Sequence, residues 1–245
     1  MEQVCLTLQY DGTRYHGWQV QPNGITVQEV LQDAIQTVTG TRASVTGCSR
    51  TDAGVHANRF YCTTPSPHNM SCEQDLKALN ANLPKDIAVL ACVCVPKEFH
   101  PRYSAVGKRY QYRIWNCAVR NPFWEPYALH IRSKLNESSM NKTSRLFEGT
   151  HDFSAFCSAG SEVEDKTRTI YRAFVTREGN LLCFTVEGNG FLYNMVRIMV
   201  GTLLEVENGK ISHKDIRQAL QTGKRDLVGA TAPAHGLILD EVWYT

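Results

Sequence analysis

The order of strand-like and helix-like segments is the strongest constraint on how this chain folds. In its first part, two segments with apolar residues at helical spacing alternate with short segments rich in β-branched and apolar residues. Thr26 with Glu29 opens the first helix, and Ser71 with Gln74 opens the second. The predicted strands are Val4–Tyr10, Ala43–Thr46, Asn58–Thr64 and Ile87–Val95. The predicted order is therefore β-α-β-β-α-β.

The rest of the chain has a similar order of elements without repeating the residues. Strands are predicted at Arg109–Trp115, Thr169–Thr176, Leu181–Glu187 and Leu237–Tyr244, and helices at Ser138–Phe147, at Tyr193–Val206 and after Ser212. This order predicts an α+β protein of two ferredoxin-like halves, the split β-α-β arrangement of RRM-like domains, each with an antiparallel sheet. The halves are expected to meet near Pro96, which gives domains of residues 1–96 and 97–245.

The composition is that of an ordinary globular protein. Of 245 residues, 42% are hydrophobic and 20% are charged, which excludes a disordered or low-complexity chain. Lysine and arginine number 26 against 24 acidic residues, so the formal net charge is only +2. A chain with this balance binds a polyanion only where its cations are concentrated locally.

The cysteines and the N-terminus indicate a reducing compartment. There are nine cysteines, an odd number without a C-x-x-C pair, and the eight histidines lack zinc-ligand spacing. Cys92 and Cys94 alternate within an apolar strand, so both side chains are expected on one face. The N-terminus lacks the features of a signal peptide, and the longest apolar stretch, Met195–Val206, is too short to span a bilayer. We therefore expect free thiols, no metal, no membrane segment and a cytoplasmic location.

Basic and aromatic residues interleave between His100 and Lys134. Glu125 is the single acid in this stretch. The basic residues are Arg102, Lys108, Arg109, Arg113, Arg120, Arg132 and Lys134. Guanidinium and ammonium groups suit phosphates, and aromatic faces suit unstacked bases. The pattern fits an RNA-binding surface, and it fits equally a solvated basic strand whose aromatic residues lie in the core.

The segment Gly47–Ala57 interrupts a strand-like region with polar residues and two glycines. Asp52 lies within it and is followed by Ala53 and Gly54. From the residues alone, a turn-forming role for this aspartate is favoured over a catalytic one. Asp52 and His56 have the spacing of a helical metal pair, but the glycine between them disfavours a helix and no third ligand is near in sequence.

Arg197 lies within an otherwise apolar predicted helix. A helix that is apolar on nearly all faces is expected to be buried. A buried guanidinium needs an acidic partner, since an unpaired buried charge is very costly. The alternative is that this long side chain extends to the surface.

Several segments, in order along the whole chain, resemble the tRNA pseudouridine synthase A family. The most specific is Arg50–Ala57, with the sequence RTDAGVHA. The other matching segments are Tyr10–Gly12 with Gly17–Gln19, Phe99–Ala105, Tyr110–Ile114, Gly149–Phe153, Thr167–Ile170, Phe191–Arg197 and Ala232–Leu237. So many ordered blocks are hard to obtain by chance.

This resemblance implies isomerisation of uridine to pseudouridine in the anticodon stem-loop of tRNA, at positions 38, 39 and 40, without a cofactor. It makes Asp52 the catalytic residue, with Arg197 as its partner, and it makes Tyr110, Arg50 and Arg197 substrate-binding residues. Whether Asp52 attacks the sugar, attacks the base or removes a ribose proton stays open. The resemblance further implies a catalytic cleft between the two halves and a homodimer in which one tRNA contacts both subunits.

Two other functions are compatible with the residues. A non-catalytic RNA-binding module of two RRM-like domains would carry an aromatic RNP run on its sheet, and the sequence has none. A small hydrolase using Asp52 and His56 would need a pocket for a substrate other than RNA.

Overall fold

A computed structural model describes residues 3–65, 70–161 and 163–245. Within these ranges the protein is a mixed α+β structure, as predicted. The α-helices are α1 Val27–Thr39, α2 Cys72–Asn82, α3 Glu137–Ser144, α4 Met195–Glu207 and α5 His213–Thr222. The strands are β1 Gln3–Tyr10, β2 Thr46–Gly47, β3 His56–Pro65, β4 Ile87–Val95, β5 Ala105–Asn116, β6 Leu129–Ile131, β7 Gly149–Asp152, β8 Thr167–Glu178, β9 Leu181–Gly188 and β10 Leu237–Tyr244. No helix in the described ranges is long and apolar enough to cross a membrane.

The chain forms two compact units. The first comprises Met1–Val106 together with Ile238–Thr245, and the second comprises Gly107–Leu237. Strand β10 thus belongs almost entirely to the first unit, where it pairs in parallel with the start of β3. Side chains reinforce this pairing, since Asn58 Nδ2 donates to Asp240 Oδ1 at 2.8 Å and Tyr61 Oη donates to Glu241 Oε1 at 3.1 Å.

The sheet of the first unit is centred on β1, which pairs antiparallel with β4 on one side and β3 on the other. Strand β2 pairs antiparallel with the far end of β3. Helix α2 packs on β4 and against α1. Leu6, Leu8, Leu31, Ile35 and Phe60 are fully buried and form the core of this unit.

The predicted helix signals of the first unit are confirmed. Thr26 Oγ1 accepts a hydrogen bond from the Glu29 N–H, and α1 ends at Gly40, whose φ of +75° is a conformation that glycine adopts easily. Ser71 and Gln74 form a reciprocal capping box at the start of α2.

The predicted strand Ala43–Thr46 is wrong in its bounds, because β2 contains only Thr46 and Gly47. The carbonyl groups of Ala43 and Val45, just before β2, accept hydrogen bonds from two side chains of α1 and not from a neighbouring strand. Gln28 Nε2 donates to the Val45 carbonyl oxygen at 2.8 Å, and Gln32 Nε2 donates to the Ala43 carbonyl oxygen at 3.0 Å. The backbone acceptors are therefore satisfied without a ladder.

The second unit has an antiparallel sheet in the order β5-β9-β8-β7, and the short β6 pairs in parallel with the end of β5. The predicted hairpin is confirmed as β8 and β9, which a turn at Gly179 joins. Helix α3 packs on β8 and against α4. Strands β6 and β7 were not predicted, because three and four residues are too few to show an alternating pattern.

Candidate active site

Asp52 lies in the loop between β2 and β3, in a tight turn of the main chain. The Val55 N–H donates to the Asp52 carbonyl oxygen at 3.1 Å, and Gly54 has a φ of +78°. This left-handed conformation explains the glycine of the motif. Asp52 itself is half-buried, and Arg50, two residues earlier on the same loop, is exposed.

The segment Tyr10–Trp18 holds this loop through the main chain. The Trp18 N–H donates to the Thr51 carbonyl oxygen at 3.1 Å, and the Gly54 N–H donates to the Tyr15 carbonyl oxygen at 3.2 Å. A Cβ at Gly17 would lie 2.5 Å from the Thr51 carbonyl oxygen, and the φ of Gly17 is +86°. Only glycine fits here, so the backbone approaches the residues next to Asp52 directly. The side chain of Thr51 adds a buried hydrogen bond with Tyr10 Oη at 2.8 Å.

His56 also connects the loop to this segment. It is only 5% exposed, and its Nδ1 accepts a hydrogen bond from the Gly12 N–H at 3.0 Å. The same Nδ1 lies 3.1 Å from Asp11 Oδ1. Because a backbone N–H only donates, we assign Nδ1 as the acceptor of the bond from Gly12.

This assignment gives the ring of His56 a structural role at the loop. Among the residues that the structure describes, no group of three or more histidine, cysteine, aspartate or glutamate side chains is arranged to hold a metal ion.

Arg197 lies in the first turn of α4 and is half-buried. Its Nε donates to the Ala232 carbonyl oxygen at 2.7 Å, and its Nη1 donates to Asn194 Oδ1 at 2.6 Å. The Ala232 N–H returns a bond to the Arg197 carbonyl oxygen at 3.1 Å. The guanidinium is therefore fixed in direction by two neutral acceptors.

Two close approaches of backbone hold the segment that contains Ala232 against α4. A Cβ at Gly201 would lie 1.7 Å from the Ala230 carbonyl oxygen, and a Cβ at Gly229 would lie 2.4 Å from the Gly201 carbonyl carbon. The Gly229 N–H also donates to Thr202 Oγ1 at 3.0 Å. The small residues of α4 thus place the carbonyl group that orients Arg197.

Asn194 is a site residue that sequence reasoning missed. It has a φ of +61°, and among the described residues it is the single non-glycine with a positive φ. Its Nδ2 donates to Ser158 Oγ at 2.9 Å while its Oδ1 accepts from Arg197. Asparagine tolerates the left-handed region better than most residues, so its position just before a helix was the available signal.

Tyr110 lies on β5 and is 6% exposed. Its ring meets Phe191 edge-on, with centroids 5.0 Å apart and an interplanar angle of 77°. Two residues along the same face, Tyr112 Oη donates to the Pro233 carbonyl oxygen at 2.8 Å. Burial raises the pKa of Tyr112, and the nearby positive charge of Arg197 acts in the opposite direction. Tyr110, Tyr112, Phe191 and Arg197 thus belong to one neighbourhood of the second unit.

The residues between His100 and Lys134 include some that fit a solvated basic strand and others that fit an RNA-binding surface. Arg109 Nε pairs with Glu187 Oε1 at 2.8 Å, and Tyr110 and Tyr112 are buried, as expected for a solvated strand over a core. Other members face solvent, as expected for an RNA-binding surface: Arg102, Tyr103, Arg120, Phe123, Arg132 and Lys134 are exposed.

The tRNA pseudouridine synthase family model matches residues 7–104 and 144–245 of the chain. The chain therefore belongs to the tRNA pseudouridine synthase family. It is similar to the tRNA pseudouridine synthase A of Geobacillus kaustophilus, with 45% identity over 99% of this chain and 95% of the relative. It is 43% identical to the protein of the same name from Ruminiclostridium cellulolyticum over the whole of both chains.

Among solved structures, a crystal structure of a Cbf5-Nop10-Gar1 complex aligns with a TM-score of 0.44 and 15% identity, over 96% of this chain and 48% of that chain. This likeness is too low to support a conclusion. Family membership by sequence confirms the predicted class of enzyme, an isomerase that forms pseudouridine in tRNA. It favours this function over the non-catalytic RNA-binding module and the hydrolase.

Replacing Asn194 tests whether this residue positions Arg197. We expect Asn194→Gly to relieve the backbone strain yet lower the single-turnover rate about tenfold, which corresponds to about 1.4 kcal/mol, because the acceptor for Nη1 is lost. Asn194→Ala should lose the same rate and in addition about 1–2 kcal/mol of stability in urea unfolding. A glycine variant with the wild-type rate would show that Asn194 does not position the arginine.

Proposed function

We propose that the enzyme modifies the anticodon stem-loop of tRNA, at positions 38, 39 and 40, with Asp52 as the catalytic carboxylate. The observation that carries this proposal is the clamped loop. Main-chain hydrogen bonds with Tyr15, which accepts, and Trp18, which donates, hold the residues on both sides of Asp52, and Asp52 is half-buried. A reactive group on a preorganised loop needs no rearrangement to meet a substrate.

Arg197 supplies the positive charge that keeps Asp52 ionised in a site that excludes water. Its two described acceptors, Asn194 and Ala232, are neutral groups. They orient the guanidinium, and a carboxylate is the partner that a partly buried cation favours. In this proposal Asp52 belongs to the half of residues 1–96, and Tyr110 and Arg197 belong to the half of residues 97–245.

Tyr110 stacks on the uracil in this proposal, and its hydroxyl assists removal of the C5 proton. The edge-on contact with Phe191 limits rotation of the ring. The target nucleotide must leave its stack before C1′ can be reached. The exposed Arg50, on the loop of Asp52, then fills the gap or holds the adjacent phosphate.

Three further parts of the proposal have supporting observations. The strand order β4-β1-β3-β2 in the first unit is that of a split β-α-β fold, which supports a ferredoxin-like first half. Four exposed cations support a positively charged surface that binds tRNA: Arg102, Arg120, Arg132 and Lys134. We propose that the protein is a homodimer and that one tRNA contacts this surface on both subunits. The nine cysteines, present as thiols, support a cytoplasmic location.

Asp52→Asn should abolish isomerisation and leave tRNA affinity within a few-fold of wild type. The substitution removes the charge with little change in volume, and affinity depends mainly on phosphate contacts. Incubation with an unmodified tRNA transcript, followed by chemical mapping of pseudouridine, measures both the activity and the positions modified. Turnover by the purified variant would remove Asp52 from its role, and modification outside positions 38, 39 and 40 would contradict the proposed specificity.

Tyr110→Phe should bind tRNA as wild type does and turn over at least 10²-fold more slowly, because the ring still stacks but the hydroxyl is gone. Tyr112→Phe is the matched control. It removes the bond to Pro233 at a cost of about 1 kcal/mol in stability and should keep most of the rate. Equal single-turnover rates for the Tyr110 variant and wild type would limit Tyr110 to stacking.

The pairing of Asp52 with Arg197 can be measured without substrate. Arg197→Met strands the carboxylate, and Asp52→Asn strands the guanidinium, so each single variant should be destabilised. Because Arg197 is half-buried, we expect each loss to stay below the roughly 3–5 kcal/mol of a fully buried pair. The double variant leaves no stranded charge, so its loss in urea unfolding should be smaller than the two single losses combined. Additivity within about 0.5 kcal/mol would show that the two residues do not meet.

A further inference from the structure

Three cysteines of the first unit gather where α2 begins against β4. Cys72 is the first residue of α2, and Cys92 and Cys94 alternate along β4, as predicted for one face of a strand. The Sγ atoms of Cys72 and Cys94 lie 3.7 Å apart. A disulfide needs about 2.05 Å between the sulfurs, so side-chain rotation alone has little distance to close. Nothing in the proposed isomerisation uses these thiols.

Accessibility separates Cys72, Cys92 and Cys94 from the other thiols of the first unit. Cys94 is exposed and Cys72 and Cys92 are partly exposed, whereas Cys5, Cys48 and Cys62 are buried. Solvent-borne oxidants react with thiols that they can reach.

Cys92 is the neighbour that could compete for Cys72. Its own burial, followed by a hydrogen bond with Cys72, raises its pKa well above the usual range. Since the thiolate is the reacting species, Cys92 stays a thiol under conditions in which an exposed cysteine reacts.

We propose that Cys72 and Cys94 are a modification site that forms a reversible disulfide with a low-molecular-weight disulfide as the oxidant. The Cys94 thiolate attacks one sulfur of the oxidant, forms a mixed disulfide and releases one small thiolate. The Cys72 thiolate then attacks Sγ of Cys94, forms the Cys72–Cys94 bond and releases the second small thiolate. The two cysteines lose two electrons and the oxidant gains them, and the two cysteine protons end on the released thiols.

The bond would tie the first residue of α2 to β4, which is an edge strand of the first unit's sheet in the described residues. It would close a loop that contains all of α2 and most of β4. Opening of α2 away from β4 would then require reduction. The proposal does not depend on Asp52, Tyr110 or Arg197 having the roles given above.

The test uses the folded full-length protein with oxidised glutathione as the probe. After incubation, remaining thiols are blocked with a maleimide, and the protein is digested without reduction and analysed by mass spectrometry. We expect a cross-linked peptide pair that joins Cys72 to Cys94. The denatured product should carry two fewer thiols than the nine of the reduced chain, and dithiothreitol should restore them.

Serine variants decide the identity of the pair. Cys94→Ser and Cys72→Ser should each lose the cross-link and hold at most one glutathione at the remaining cysteine, with circular dichroism confirming that they fold. Cys92→Ser, and Cys117→Ser as a matched control with a partly exposed cysteine of the second unit, should form the link as wild type does. A stable glutathione adduct on Cys94 of the wild type without closure, or a Cys72–Cys92 bond instead, would overturn the proposal.

Discussion

Contact between main chains without intervening side chains is the constraint on which the rest of the site depends. In the first unit, Gly12 and Gly17 lie so close to Val55 and Thr51 that an added Cβ would fall 2.0 and 2.5 Å from their carbonyl oxygens. Backbone hydrogen bonds between the same segments then fix the loop that presents Asp52. The side chains of Thr51 and His56 add hydrogen bonds to this backbone contact, which sets the position of the loop first.

In the second unit, direct contact between main chains also positions a loop, here against α4. Gly201 and Gly229 allow a loop to lie directly on the helix, and the carbonyl group of Ala232 on that loop orients Arg197. Asn194 adds a second acceptor from a left-handed conformation, which is a small local strain. Two acceptors without net charge thus contribute to the direction of the guanidinium.

Much of the fold was predictable, because its signals are local. The capping residues Thr26, Ser71 and Ser212 mark the three helices at which each accepts a backbone hydrogen bond, and the strand Ile87–Val95 has the predicted bounds. The strand Ala43–Thr46 was misplaced because glutamine side chains of α1 donate hydrogen bonds to its carbonyl groups. Such side-chain bonds cannot be seen in the pattern of hydrophobic residues.

For the candidate site too, some features were predicted from the sequence and others were not. The motif around Asp52 was visible as an anomaly, and a turn was predicted there from Asp52 followed by Ala53 and Gly54. The position of Asn194 before a helix was the only local signal, because its contact with Ser158 joins residues that lie far apart in sequence. The ion pair of Arg109 with Glu187 was likewise hidden, because it depends on the register between two strands.

The return of β10 to the first unit has a consequence for how the protein is made. Asn58 and its partner Asp240 are 182 residues apart in sequence. A ribosome that has finished β4 has therefore not yet supplied the strand that completes the start of β3. The edge of β3 that faces β10, directly after the loop of Asp52, stays without this partner strand until the second unit has been synthesised. Contacts of such long sequence separation form late, so the loop of Asp52 acquires this support only after the second unit has been made.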